Sequence, residues 1–244
     1  MNGVLRQMKL LVKQIVRKCG LEVHRYRTSS AAKLQKILLY HKIDLVLDIG
    51  ANIGQYAREL RSGGYKGRIV SFEPLSSAHR ELMRTSRQDD AWTIAPQVAI
   101  GDEDGEITIN ISSNSYSSSV LDILDLHVDN EPSAAVVSRE KVKMSRLDTI
   151  VGPYINESKS IFLKIDTQGF EAQVLDGAAQ TLAAIRGLQI ELSLVPLYKG
   201  QTLFLEMIEK IQKAGFELYG LVPGFTDINS GKLLQVDGIF IKKN

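Results

Sequence analysis

The segment Asp48-Ile-Gly50-Ala-Asn52-Ile-Gly54 puts an acid, two glycines and an amide directly after the apolar run Leu45–Leu47. Glycine lets backbone approach a ligand closely and turn sharply into a helix. A dinucleotide fingerprint, Gly-x-Gly-x-x-Gly, would need glycines where Asn52 and Gln55 stand, so the glycine that admits a pyrophosphate is missing. A P-loop is absent as well, because no Gly-Lys-Ser or Gly-Lys-Thr occurs. Asp48 beside this loop would repel a phosphate and attract a cation. Glu73, in Ser71-Phe-Glu-Pro74, lies about 20 residues beyond the first glycine, the interval at which a carboxylate bonds both ribose hydroxyls. The ligand these residues describe has a ribose and a cationic group but no phosphate. S-adenosylmethionine, with its ribose, ammonium and sulfonium, fits.

Elements that alternate between strand and helix must hold these groups. A helix is expected over 31–40, a buried parallel strand over 45–50, a helix over 53–62 stopped by Gly63-Gly64, a strand over 68–72 and a helix over 76–87. This is the pattern of a doubly wound, Rossmann-like α/β sheet. Short strands follow at 97–100 and 105–111, the latter with Ile107, Ile109 and Ile111 on one face. A serine-rich loop follows at 114–119, then an irregular polar stretch over 120–140, and a strand from Lys141 leads into a short apolar segment ending at Ile150. Residues 102–150 therefore read as a strand pair or insertion beside the sheet. Alternation resumes with strand 161–166, helix 170–184, strand 188–192, helix 202–214 and two final strands, 216–221 and 236–241. A turn-rich stretch joins those two, which makes them antiparallel.

The chain has 244 residues, 44% of them hydrophobic and 24% charged, which suits one soluble α/β domain with an appendage. A single cysteine, Cys19, permits no internal disulfide and no cysteine-based zinc cluster, and a reducing cytoplasm is the natural compartment. Net charge is +2, unevenly placed: residues 1–28 hold seven basic residues against Glu22, leaving 23 basic and 27 acidic residues in the rest. The body is mildly acidic and disfavours nucleic acid, while residues 1–30 form a basic arm. Within that arm Leu5, Met8, Leu11, Val12, Ile15, Val16 and Cys19 recur at helical spacing. An amphipathic helix there either packs on the body or a second subunit, or lies on an anionic membrane surface through residues 1–25. The charges interrupt every apolar run, so neither a secretory signal nor a spanning segment is expected.

Asp48-Ile-Gly-Ala-Asn-Ile-Gly54, Phe72-Glu-Pro74, Val98-Ala-Ile-Gly101, Ser145-Arg-Leu-Asp148 and Lys164-Ile-Asp-Thr-Gln-Gly-Phe-Glu171 occur in this order. In these five segments the chain resembles the FkbM-type methyltransferases, which use S-adenosylmethionine, over roughly residues 40–243. The resemblance implies a seven-stranded methyltransferase sheet, mostly parallel with a reversed last strand, in residues 31–244. It also implies O-methylation of a sugar or polyketide hydroxyl. Carried over by position, Asp48, Gly50, Asn52 and Gly54 line the methionine end, Glu73 holds the ribose, and Pro74 and Leu75 border the adenine. Val98 and Ala99 close over the adenine, with Ile100 turned away into the sheet. One departure is visible: Gln168 stands where the family commonly has glutamate, which puts a charge-dependent role there in doubt.

Methyl transfer to a hydroxyl needs alignment, exclusion of water and a base within hydrogen-bond reach. Asp166, at the carboxyl end of the strand expected beside the first, is the candidate base; it could instead hold the methionine ammonium or brace the following turn. Lys164 shares its strand face and, if buried, needs Asp166 or Glu191 as partner. Glu191 lies in an otherwise apolar strand, and is either paired or near its exposed end. Glu171 is in the first turn of a helix, where the helix dipole alone accounts for an acid. Tyr116 and Ser117 in the serine-rich loop, and Tyr198 after the fifth main strand, are placed to contact an acceptor. His24, His41 and His79 read as structural or solvated, and His127 as a remote candidate base. No histidine pair has metal-ligand spacing, so no metal is assigned. Three rival readings remain: transfer to nitrogen or carbon, a non-catalytic cofactor-binding module, and a nucleotide-sugar or NAD enzyme on the same fold.

Overall fold

The computed structural model describes residues 2–19 and 30–243. The chain begins with α1 (Asn2–Lys18), α2 (Ser30–Tyr40), β1 (Leu45–Ile49), α3 (Gln55–Ser62), β2 (Arg68–Phe72), α4 (Ser76–Thr85) and β3 (Trp92–Ile94). It continues through β4 (Ala99–Gly101), β5 (Gly105–Ser112), α5 (Asp125–Asn130), β6 (Val136–Arg146), α6 (Leu147–Ile150) and α7 (Gly152–Ile155). It ends with β7 (Ile161–Ile165), α8 (Glu171–Asp176), α9 (Ala179–Ala184), β8 (Gly187–Ser193), α10 (Phe204–Lys213), β9 (Phe216–Pro223) and β10 (Gln235–Lys242). The expected polar break at 27–30 falls mostly outside the described residues, as does His24.

β1 and β7 are buried at every position, so their sequences run apolar without alternating. Seven strands form one sheet in the order β3-β2-β1-β7-β8-β10-β9. Every pairing is parallel except those of β10, which runs antiparallel to both β8 and β9. The order departs in opposite directions from β1, toward β2 on one side and β7 on the other. Ligands of open α/β sheets bind at such a switch point, outside the carboxyl ends of the strands. Alternate residues of each strand feed two cores. Leu45, Leu47, Leu163 and Ile165 pack on one face with residues of α8, α9 and α10. Val46, Ile69, Phe162 and Ile239 pack on the other with Leu34, Leu38, Ala57 and Leu60 of α2 and α3.

The insertion is a separate three-stranded sheet, β4-β6-β5. Ile109 is buried in it and Ile107 and Ile111 are half-buried, all against a cluster that includes Val142, Met144 and Phe170. Several elements differ from the sequence reading. β3 was not anticipated; at three residues it is too short to show periodicity, yet Trp92 fills the space beside Gly54. The strand expected at 97–100 belongs to the insertion sheet and not to the main one. β6 begins at Val136, inside the stretch read as irregular, because its exposed outer half, Val-Val-Ser-Arg-Glu, pairs along β5 without an alternating buried face. The single helix expected over 170–184 breaks into α8 and α9 at Gly177, where a Cβ would overlap the Gly101 carbonyl.

Candidate functional site

A crevice of about 360 Å³ opens over the carboxyl ends of β1, β2 and β7, with Gln189 of β8 and Asp237 and Ile239 of β10 also in its lining. Its size lies in the range of small-molecule sites, about 300–1,000 Å³. The loop after β1 forms one wall. Gly50, Asn52 and Gly54 all have positive φ, at 78°, 49° and 90°. At Gly50 a Cβ would overlap the Asp166 carbonyl, so the absence of a side chain lets this loop lie against the end of β7. Gly54 has a different reason to be glycine: its Cβ would strike the Trp92 ring. It does not line the crevice.

Glu73 fastens that loop to the next. Its Oε2 accepts the Asn52 backbone N–H at 2.8 Å and its Oε1 accepts the Leu75 N–H at 2.8 Å. A carboxylate offers about four lone-pair sites, so one on each oxygen remains for hydroxyls reaching into the crevice. Burial pushes the Glu73 carboxyl up to about 7, against the pull of those two N–H groups. Pro74, Leu75, Val98 and Ala99 supply apolar lining next to it. Ile100, expected to face away, lines the crevice too. Asn52 also holds the serine-rich loop: its Nδ2 donates to the Ser115 carbonyl at 3.0 Å, and Ser115 Oγ donates to Asn52 Oδ1 at 3.1 Å. Ser115 was not singled out from the sequence, since one serine among several carries no spacing signal.

Asp48 is not where its sequence context suggested. The carboxylate is wholly buried in the sheet and does not line the crevice. Ser71 Oγ donates to its Oδ2 at 3.1 Å, and Trp92 Nε1 donates to Ser71 Oγ at 2.9 Å. Its Oδ1 lies 3.3 Å from Lys164 Nζ. Burial raises the Asp48 pKa, with Lys164 opposing. Lys164 is likewise buried, 3.2 Å from the Gly50 carbonyl that it donates to and 3.5 Å from Asp166 Oδ2, with its ammonium over the Tyr56 ring. Burial alone disfavours that ammonium, but Asp166 and Asp48 outweigh it and hold the Lys164 pKa above the ordinary lysine range. Lys164 is thus a fixed cation that ties β1, its loop and Asp166 together. Its partners are Asp166, as expected, and Asp48, but not Glu191.

Asp166 projects into the crevice from the end of β7, its side chain 37% exposed. Its Oδ1 accepts Gln168 Nε2 at 2.8 Å. The same amide donates to Glu191 Oε2 at 3.1 Å, and Tyr198 Oη donates to Gln168 Oε1 at 2.7 Å. Gln168 itself has φ of 55°. The departure from the family pattern therefore has a physical content: a neutral amide gives two neighbouring carboxylates one shared donor, where glutamate would add a third acid. Glu191 also accepts Gln235 Nε2 at 2.7 Å, and burial first, then Asp166, drives its pKa well up. It stands behind Gln168 and does not line the crevice. Glu171 accepts the N–H groups of Thr167 and Gly169 and shapes the turn after β7.

Among the expected acceptor contacts only Tyr116 lines the crevice. Ser117 is buried and its carbonyl accepts Tyr198 Oη at 3.1 Å; Ser118 faces the crevice instead. Tyr198 is fully buried behind Gln168 and braces the site from within, so it does not face an acceptor. His127 packs edge-on to Tyr198 and beside Phe225, buried and away from the crevice. The far lobe holds residues that sequence reasoning passed over: Tyr56, Glu59, Gln189 and Asp237. Tyr56 Oη donates to Gln189 Oε1 at 3.1 Å. Burial raises Asp237 to about 6. A polar residue inside an apolar strand, as in Leu188-Gln-Ile and Val236-Asp-Gly, is the signal that could have found two of them.

The family described as "Methyltransferase FkbM domain" matches residues 48–218. A curated relative, the AMB antimetabolite synthetase AmbE of Pseudomonas aeruginosa, is 25% identical over 178 residues, which is 60% of this chain and 8% of that protein's length. Among solved structures, magnesium protoporphyrin IX methyltransferase from Synechocystis PCC 6803 with bound S-adenosylhomocysteine superposes with a TM-score of 0.50 at 8% identity, covering 88% of this chain and 82% of that one. Aeropyrum pernix fibrillarin with bound S-adenosyl-L-methionine has a TM-score of 0.47 at 12% identity, with 86% and 73% covered. At 8% identity the likeness to the first of these is one of fold.

Proposed function

Because the chain belongs to the FkbM methyltransferase family, we propose that it transfers the methyl group of S-adenosylmethionine to a hydroxyl of a sugar, a glycan, a lipid-linked sugar or a secondary metabolite. The cofactor brings an already activated, electrophilic methyl, which leaves alignment and proton management to the protein.

The residues fit that cofactor. The free lone pairs of Glu73 take the ribose hydroxyls, and Pro74, Leu75, Val98, Ala99 and Ile100 take the adenine. The loop from Gly50 to Asn52 takes the methionine end, beside the first-turn N–H groups of α3, which no capping side chain fills. The observation that carries the reading is Asp166, exposed to the crevice with Oδ1 held by Gln168 and Oδ2 beside Lys164. From there Asp166 accepts the proton of the attacking hydroxyl at Oδ2. Buried Asp48 acts on the cofactor only through Lys164, and Glu191 on the acceptor only through Gln168.

The lining also speaks to the acceptor. Among the described residues, Glu59, Glu73, Asp166 and Asp237 face the crevice, with Lys164 as the cation among them. This balance favours a neutral or cationic group at the reacting end and disfavours a phosphate there. It also gives weight to a second reading, methylation of an amine such as that of an amino sugar.

Calorimetry with S-adenosylmethionine, then transfer of a labelled methyl to cell extract and to candidate sugars, tests the proposal. A product heavier by one methylene at a hydroxyl supports it. Modification at nitrogen supports the second reading. Cofactor binding with no transfer to any component would instead make the chain a binding module.

A further inference from the structure

α1 has no acidic residue and carries Arg6, Lys9, Lys13, Arg17 and Lys18 within Asn2–Lys18. Met8, Leu11, Val12 and Ile15 follow the spacing i, i+3, i+4, i+7 and so share one face. All four are exposed, between 51% and 61%. Lys13 and Arg17, spaced by four, share a neighbouring face. In proteins most of a helix's stability comes from packing of its amphipathic face. This one leaves its apolar face open on the protein, so something else must cover it.

We infer that α1 docks on an anionic lipid surface, lying in the plane of the headgroups with its apolar face down. The charge pattern selects this occupant. A second copy of α1 would bring five cations against five with no acid between them. A bilayer bearing anionic headgroups supplies apolar depth for Met8, Leu11, Val12 and Ile15 and counter-charge for the lysines at once. The helix does not cross the membrane: no described helix is long and apolar enough. The consequence for the enzyme is proximity. Ser30, Ala31 and Leu34 at the start of α2, the next described helix after α1, line the crevice, so docking would bring the crevice of the same chain to the lipid.

The test is sedimentation of the full chain with vesicles of phosphatidylcholine alone, or of equal parts phosphatidylcholine and phosphatidylglycerol. Binding is expected only to the mixed vesicles, weakening with added salt. The double substitution Lys9→Gln, Lys13→Gln should weaken it by about fivefold per charge, from ~1 kcal/mol per basic residue at such a surface. Leu11→Glu with Ile15→Glu should abolish it. Calorimetric binding of S-adenosylmethionine should stay unchanged in every variant, which shows that the domain remains folded. Equal binding to both vesicle types, binding to neither, or vesicle binding that survives Leu11→Glu with Ile15→Glu would overturn the inference. So would light scattering that finds a dimer which those two glutamates dissolve, since α1 would then be a subunit contact.

Discussion

Acidification should loosen the grip on the ribose through one carboxyl group. Both oxygens of Glu73 already accept backbone N–H groups, so a proton on this carboxyl must occupy a lone pair that faces the crevice. That is where a ribose hydroxyl would donate, and binding therefore requires the ionised form. Burial holds Glu73 at about 7. The affinity is present above that value and is lost as pH falls through it. One unit below, about a tenth of the protein is competent, and the apparent Kd rises about tenfold, ~1.4 kcal/mol. One unit above, binding is within about a tenth of its limit. The ligand to use is methylthioadenosine, which keeps the ribose diol and lacks the amino acid whose own amino group would titrate near pH 8. Isothermal titration across this range should show a slope of one decade per unit on the acid side and a plateau on the other. Glu73→Gln should bind more weakly at high pH by about 1.5–3 kcal/mol, the worth of a hydrogen bond to a charged group, with no slope at all. A flat wild-type profile, or a slope that persists in Glu73→Gln, would refute the assignment of the ribose to this carboxylate.

Three further outcomes can be measured. Asp166→Asn should lower turnover by about 100-fold or more, the contribution of a general base, while the Kd for S-adenosylmethionine changes far less; equal losses in both would make Asp166 a holder of the methionine ammonium. Gln168→Glu removes the donor shared by Asp166 and Glu191 and adds a third acid at about 3 Å. With Asp166 Oδ1 no longer held by a donor, turnover should fall while cofactor affinity holds, and unchanged turnover would sink this account. Gly50→Ala combines a positive φ with a Cβ that overlaps the Asp166 carbonyl, so calorimetry should find cofactor binding lost and the melting temperature lowered; wild-type binding would show that the loop and β7 need not touch.

Much of the fold was legible because its signals are local. β1, β2, β7 and β8 announce themselves as short apolar runs, and α3 and the β9–β10 hairpin by their glycine-rich stops and turns. β3 and the outer half of β6 gave no such signal. The first is three residues long, and the second is an exposed strand that exists only because β5 lies beside it. Glu73 was legible for the same reason as the strands: it ends β2, and a position at the end of a parallel strand is a position at the crevice. The break between α8 and α9 was not, since it answers to the distant Gly101 carbonyl.

By itself, then, the sequence determined the α/β class and the positions at the crevice of the glycine loop after β1, of Glu73 and of Asp166, each through neighbours in the chain. Which side chains meet was decided elsewhere. Asp48 turned into the sheet toward Ser71 and Lys164, Glu191 retired behind Gln168, and Tyr198 went under the site whose acceptor it was expected to contact. Tyr56, Gln189 and Asp237 came together from a helix and two strands to build the far lobe. A strand residue's direction follows from register and its exposure from whatever packs above. Both are set by partners on other elements, 23 residues away for Asp48 and Ser71 and 133 for Tyr56 and Gln189, and no local pattern encodes them.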